Sequence, residues 1–199
     1  MIDAGMWALA RTGGRVRSTE AHGAVLTAAT ELLEEHGYQA ITIEGIAERA
    51  GVAKSTIYRW WSSKPALVME AYTTTVARRM PEPDTGSLAG DLTDFVEHLY
   101  QGARFAPRVR ALRGLMAEAQ LDAGFEDPFR AWVQSRRDVV LRLLTRARER
   151  GEIRTGADLD LAVDQIFGVF WYRLLVGHLP LDASAAADHV QQLLAGFKK

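Results

Sequence analysis

Apolar residues along this chain recur mostly at a spacing of three and four, and alternating strand-like patterns are essentially missing. The chain therefore reads as all-α. Val25, Ala28, Ala29, Leu32 and Leu33 mark a first helix from about Ser18, its N-cap, to His36, with Gly37 as a left-handed stop. Thr42 caps a second helix over Ile43–Ala50. Gly51 makes a tight turn, and a third helix covers Lys54–Trp60. Ser62 or Ser63 caps a fourth, with Pro65 in its first turn and an end near Arg79. Beyond the breaker 81–87 (PEPDTGS), helices are expected over about 88–105, 107–122, 127–150, 158–177 and 184–197. Residues 1–17, with Gly5, Gly13 and Gly14 and the cations Arg11, Arg15 and Arg17, read as a flexible basic arm.

The segment 42–64, TIEGIAERAGVAKSTIYRWWSSK, carries the most chemistry. Ile43, Ile46, Ala47, Val52, Ile57 and Trp61 form the inner face of a helix–turn–helix. Lys54, Ser55, Thr56 and Arg59 then fall on the outer face at the start of the third helix. This is how a protein presents one helix to the DNA major groove. Arg59 can take guanine bidentately, Lys54 guanine or phosphate, and the Thr56 methyl can meet thymine. Tyr58 and Trp60 can donate to phosphates, as can the Thr42 region and Lys64.

Composition changes this picture little. A hydrophobic share of 48% and a charged share of 25% are those of an ordinary globular protein. The formal net charge is −1, but residues 49–64 hold Arg49, Lys54, Arg59 and Lys64 with no Asp or Glu, so the positive charge is local. The absence of cysteine, of a signal peptide and of a run of about 18 apolar residues points to the cytoplasm and away from a membrane. The five histidines have no metal-binding spacing, and no nucleophile elbow or phosphate-binding glycine loop occurs, so no enzyme, metal or cofactor is expected.

Gly37-Tyr38, Thr42-Ile43, Ile46-Ala47, Ala50-Gly51-Val52, Lys54, Thr56-Ile57-Tyr58-Arg59, Ser63-Lys64 and Ala66-Leu67 closely resemble the DNA-binding domain of the TetR family of bacterial transcriptional regulators. The stretches 117–120, 146–154 and 172–176, with 180–182, resemble the C-terminal domain of one subgroup more loosely. The resemblance implies about nine helices, a helix–turn–helix domain over 18–64 and a ligand-binding and dimerisation domain over 65–199, with the fourth helix linking them. It implies a homodimer on a partly palindromic operator; the apolar lining expected of a ligand cavity points to release by a small apolar or aromatic effector. By position, Thr42, Lys54, Tyr58, Trp60 and Lys64 match phosphate-contacting sites, and Ser55, Thr56 and Arg59 base-facing ones. Three residues depart from the pattern: Ala53 where a capping Ser is common, the bulky Trp60, and Glu44 on ground that can face DNA.

The segment 163–176 is apolar around well over half its circumference, more than the stripe of about 100° a surface helix needs. The excess must pack on a second subunit, a ligand or a central core; the family resemblance implies that this helix and the last one form a dimer interface, through Phe167, Trp171, Leu174, Leu175, Val190 and Leu194. A ligand cavity would be lined by Phe95, Leu99, Leu115, Met116, Trp132 and Phe170, with Glu118, Gln120 and Arg136 as polar anchors. Two rival readings are a DNA-binding regulator without an effector, and a helical small-molecule-binding protein that no longer binds DNA.

Overall fold

A computed structural model describes the backbone of residues 6–77 and 82–197 and the side chains of 19–74 and 82–197. Among the described residues there are nine helices and no strand. The chain divides into two compact units, Met1–Thr73 and Thr74–Lys199.

The first unit holds α1 (Met6–His36), α2 (Ile43–Ala50), α3 (Lys54–Trp60) and most of α4 (Lys64–Ala77). The apolar face expected of the first helix is buried: Val25, Ala29 and Leu33 are fully enclosed, with Ile46 of α2, Ile57 of α3 and Leu67 and Val68 of α4. Thr42 caps α2 by accepting the Gly45 N–H at 3.0 Å. Gly51 has φ 66°, and the Val52 N–H reaches the Ala47 carbonyl at 3.0 Å, closing the turn before α3. Ala53 supplies no side-chain cap to α3, as its methyl group dictates. The Ser63 hydroxyl accepts from the Ala66 N–H at 3.3 Å and starts α4.

α1 begins at Met6, so its start precedes the Ser18 cap expected and Gly13 and Gly14 do not break it. Adding residues to a formed helix needs no new nucleus, and each glycine costs only about 1 kcal/mol. The side chains of Arg11, Arg15 and Arg17 lie outside the described residues, as does the expected end of the fourth helix near Arg79.

The second unit holds α5 (Leu88–Gly102), α6 (Ala106–Leu121), α7 (Ala123–Glu149), α8 (Leu159–Val176) and α9 (Ala183–Phe197). α5 packs on α7, α8 and α9, and α6 on α7 and α8. α7 starts at Ala123, capped by Asp122 accepting from Gly124 at 2.8 Å, so Pro128 sits in its second turn rather than in its first.

The stretch before α5 is no free linker. Glu82 pairs with Arg142 at 2.7 Å and Arg146 at 2.9 Å, and Arg146 donates to the Pro83 carbonyl. Asp91, fully buried, accepts from the Thr85 N–H at 2.6 Å and the Thr85 hydroxyl at 2.9 Å, with Arg150 at 3.4 Å. Glu152 accepts from the Leu88 N–H at 2.6 Å. Residues 82–91 are thus stapled to the basic end of α7, and the unit boundary falls within α4, between Thr73 and Thr74, rather than at this breaker or at residue 64.

Candidate nucleic-acid interface

α3 is seven residues long, and Ile57 alone of them is buried. That single anchor, with Val52 and Trp61 at its ends, turns the rest of the helix outward. Lys54, Ser55, Tyr58 and Arg59 are exposed and Thr56 is half-buried. Thr42, at the start of α2, is exposed too. Trp60 and Lys64, the remaining candidates, are half-buried.

Their electrostatics are more differentiated than a run of cations suggests. Lys54 donates to the Glu44 carboxylate, joining the first turn of α3 to the first turn of α2. The contact holds Glu44 below the usual carboxylate range and raises Lys54. Glu44 thus neither points away nor stands alone. The Lys54 ammonium also lies 5.8 Å from the centre of the Tyr58 ring, and the Arg59 guanidinium lies 5.4 Å from that of Trp60. Lys64 donates to the Tyr38 carbonyl at 3.0 Å and covers the Tyr38 ring at 4.1 Å. Arg49 is directed elsewhere: it donates to Glu35 at 2.7 Å, with Glu31 at 3.9 Å, and so braces α2 against α1.

Trp60 is half-buried in an aromatic cluster. His22 stacks on Trp61 with centroids 4.6 Å apart and meets Trp60 edge-on at 5.3 Å. Trp61 donates its indole N–H to Glu70 of α4 at 2.7 Å, and His22 Nε2 stands 3.5 Å from the same carboxylate. His22 and Glu70 are supporting residues that sequence reasoning missed, and Tyr38 entered it only as part of the family motif, with no role. His22 lies on α1, Tyr38 in the turn before α2 and Glu70 on α4, so no pattern within α3 pointed to their contacts.

In the second unit, Phe95, Leu115, Trp132 and Phe170 are core residues, while Leu99 and Met116 are partly exposed. Phe129, Trp132, Trp171 and Phe170 form a row with successive centroids 5.4, 6.3 and 5.7 Å apart, and Phe95 meets Phe167 edge-on at 6.0 Å. A cleft of about 140 Å³ lies elsewhere, lined by Arg154, Leu161, Leu193 and Phe197 among others. Of the anchors, Glu118 is buried, Gln120 exposed, and Arg136 half-buried with its guanidinium pushed down by burial.

Of the interface residues, Leu174 and Val190 are buried within their own subunit, so their side chains serve its core rather than a partner's. Phe167, Trp171 and Leu194 are half-buried and Leu175 is exposed. Around them α8 and the turn after it expose Leu161, Tyr172, Val176 and Leu179. α8 thus keeps uncovered the apolar surface that its sequence has in excess.

Residues 25–71 match the family model for bacterial regulatory proteins of the tetR family, and residues 82–193 that for the tetracyclin repressor-like C-terminal domain. The chain is 37% identical over 188 residues to the uncharacterized HTH-type transcriptional regulator YdeS of Bacillus subtilis, covering 93% of each. It is similar to the crystal structure of the TetR family transcription regulator SCO0332, with a TM-score of 0.79, 34% identity, and coverage of 90% of this chain and 100% of that one. The fold also resembles FadR from Bacillus subtilis in complex with stearoyl-CoA, with a TM-score of 0.71 at 20% identity over 88% of this chain and 98% of that one.

Proposed function

The chain belongs to the TetR family of bacterial DNA-binding transcriptional regulators, and from that premise we propose that it is a homodimeric repressor released from a palindromic operator by a small apolar effector. The observation that carries the DNA-reading part is the outward face of α3, where Lys54, Ser55, Tyr58 and Arg59 are exposed around the single anchor Ile57. A dimer would place two such helices in successive major grooves, about 34–36 Å apart. The uncovered apolar side of α8 supports dimerisation, because a cluster of exposed apolar side chains on one helix is characteristic of an interaction surface.

The effector would act in the second unit. The aromatic row Phe129–Trp132–Trp171–Phe170 supports an apolar or aromatic ligand with few polar anchors. FadR of Bacillus subtilis, which has the same fold, binds stearoyl-CoA, a ligand whose long acyl chain is apolar although its headgroup is highly charged. α4 begins directly after the α3 segment and crosses the boundary between the units. A shift of α4 on ligand binding would change the separation of the two α3 helices, a coupling between two sites. Full burial of Phe95 and Leu115 favours a second reading, in which the core is closed and the regulator responds to no small molecule.

The test is binding of the full-length protein to DNA from upstream of its own gene. Steep loss of affinity with salt, and preference over random DNA, are expected. An apolar compound library would then be screened for thermal stabilisation and operator release. Equal affinity for all sequences would overturn the operator reading, and stabilisation by no compound would favour the closed core.

A further inference from the structure

The ion pair between Glu44 and Lys54 is an unusual thing to place on a DNA-facing surface. Glu44 is exposed in the first turn of α2, Lys54 is exposed in the first turn of α3, and the two side chains meet across the turn. A carboxylate here adds nothing to phosphate affinity, since it repels the backbone. Its pairing nevertheless positions a strong acceptor and a strong donor side by side, on two helices whose relative placement is set by Ile46, Ala47 and Ile57 beneath them.

We propose that Glu44 and Lys54 act together as a reader of one C·G base pair in each operator half-site, with Glu44 accepting from the cytosine N4 amino group and Lys54 donating to O6 or N7 of the paired guanine. This deepens the DNA-binding reading above and rests on it. In the major groove, guanine shows two adjacent acceptors and its cytosine one donor at the edge beside them. A neighbouring ammonium and carboxylate match that order. An A·T pair matches it poorly: its amino donor lies between two acceptors, adenine N7 and thymine O4, which would repel the carboxylate. The thymine methyl also crowds the far side. Because the pair is already formed before DNA arrives, both side chains reach the groove partly ordered, and little further rotamer freedom is lost. Glu44 also fixes which half of Lys54's repertoire is used. A lysine held against a carboxylate is drawn from the phosphates toward the base edge.

The experiment is selection from a fully randomised duplex library with the full-length protein, its Glu44→Ala variant and its Lys54→Ala variant. Both substitutions place a strong helix former at an exposed position, so the fold is kept. Wild-type protein is expected to select a motif with one conserved C·G pair in each half-site, and replacing that pair with A·T should weaken binding about ten-fold. Glu44→Ala should lose the preference at that position alone and keep the rest of the motif. Lys54→Ala should lose it at the same position. Two results would overturn the inference: an unchanged motif bound uniformly more tightly by Glu44→Ala, making the carboxylate a screen for Lys54 only, or losses at two different positions. Failure of wild-type protein to select any motif would instead remove the operator reading on which the inference stands.

Discussion

Trp61 and Glu70 share a hydrogen bond of 2.7 Å, the indole N–H donating to a carboxylate that lies one α4 turn before the unit boundary. Trp61 closes α3 and is only 4% exposed, while Glu70, its acceptor, is exposed, so truncating Glu70 costs the bond and leaves water as the replacement partner of the indole N–H. Glu70→Ala should therefore lower unfolding free energy by about 1 kcal/mol in chemical denaturation and shift tryptophan emission. Glu70→Gln keeps an acceptor oxygen and should lose much less. Equal losses from both variants would show that the bond is not what holds α3 to α4.

Arg59 and Lys64 should separate base reading from backbone contact. Arg59 is exposed beside Trp60, whereas Lys64 is already placed by the Tyr38 carbonyl and ring. Arg59→Ala should cost about 1–3 kcal/mol on the selected sequence and relax preference at its position. Lys64→Ala should weaken binding to all sequences alike and reduce the salt slope by about one. Equal loss on specific and random DNA from the Arg59 change, measured by fluorescence anisotropy, would refute its base-reading role.

The staple between residues 82–91 and α7 should be felt as an acid limb of stability. Glu82 is held below the usual carboxylate value by its hydrogen bond to Arg142, and Glu152 by the Leu88 N–H. A carboxyl depressed in the folded state stabilises above its unfolded value, near 4.5, and the contribution fades as pH falls through the lower folded value. Thermal melts across that range should show a shallower acid loss in Glu82→Gln. Asp91→Ala, which strips a fully buried acceptor from Thr85 and Arg150, should destabilise by about 3 kcal/mol.

His189 should impose a second, milder dependence. It is buried against Tyr100, with Nδ1 and the hydroxyl 2.9 Å apart, and burial pushes its imidazolium form down, helped by Arg173. The unfolded chain takes up a proton as pH falls through about 6.5, before the folded one does, so stability should decline from there downward. His189→Gln should flatten that part of the profile. Tyr100→Phe should cost about 1 kcal/mol at neutral pH.

Leu175 tests the dimer. It is 43% exposed on α8 among Tyr172 and Val176, so its replacement leaves the subunit core intact. Leu175→Glu should yield folded monomers in analytical ultracentrifugation, with operator affinity falling as the two α3 helices act singly. A dimer of unchanged affinity would place the interface elsewhere. Leu174→Glu makes a poor test, since it would unfold the subunit.

The helix–turn–helix was legible because its signals are local: the Thr42 cap, the Gly51 turn and the Ile43, Ile46, Ile57 spacing all act within a few residues. The start of α7 was misjudged because Pro128 reads as a boundary, whereas the helix begins earlier at a cap made by Asp122. Leu174 and Leu175 were indistinguishable in a run of apolar residues, since periodicity does not say which side of an all-apolar helix meets its own core.

The chain by itself determined where helices form, that α3 presents a polar outer face, and that α8 is too apolar for a lone surface helix, because period, caps and composition are properties of neighbouring residues. Tertiary structure alone decided how the charges are spent. Arg49 serves α1 through Glu35, Lys54 is joined to Glu44, and Glu82 binds residues 82–88 to α7 through Arg142 and Arg146. Those partners lie ten to sixty-four residues apart, and a long side chain can choose among them only after packing of the apolar faces has set which helices are adjacent.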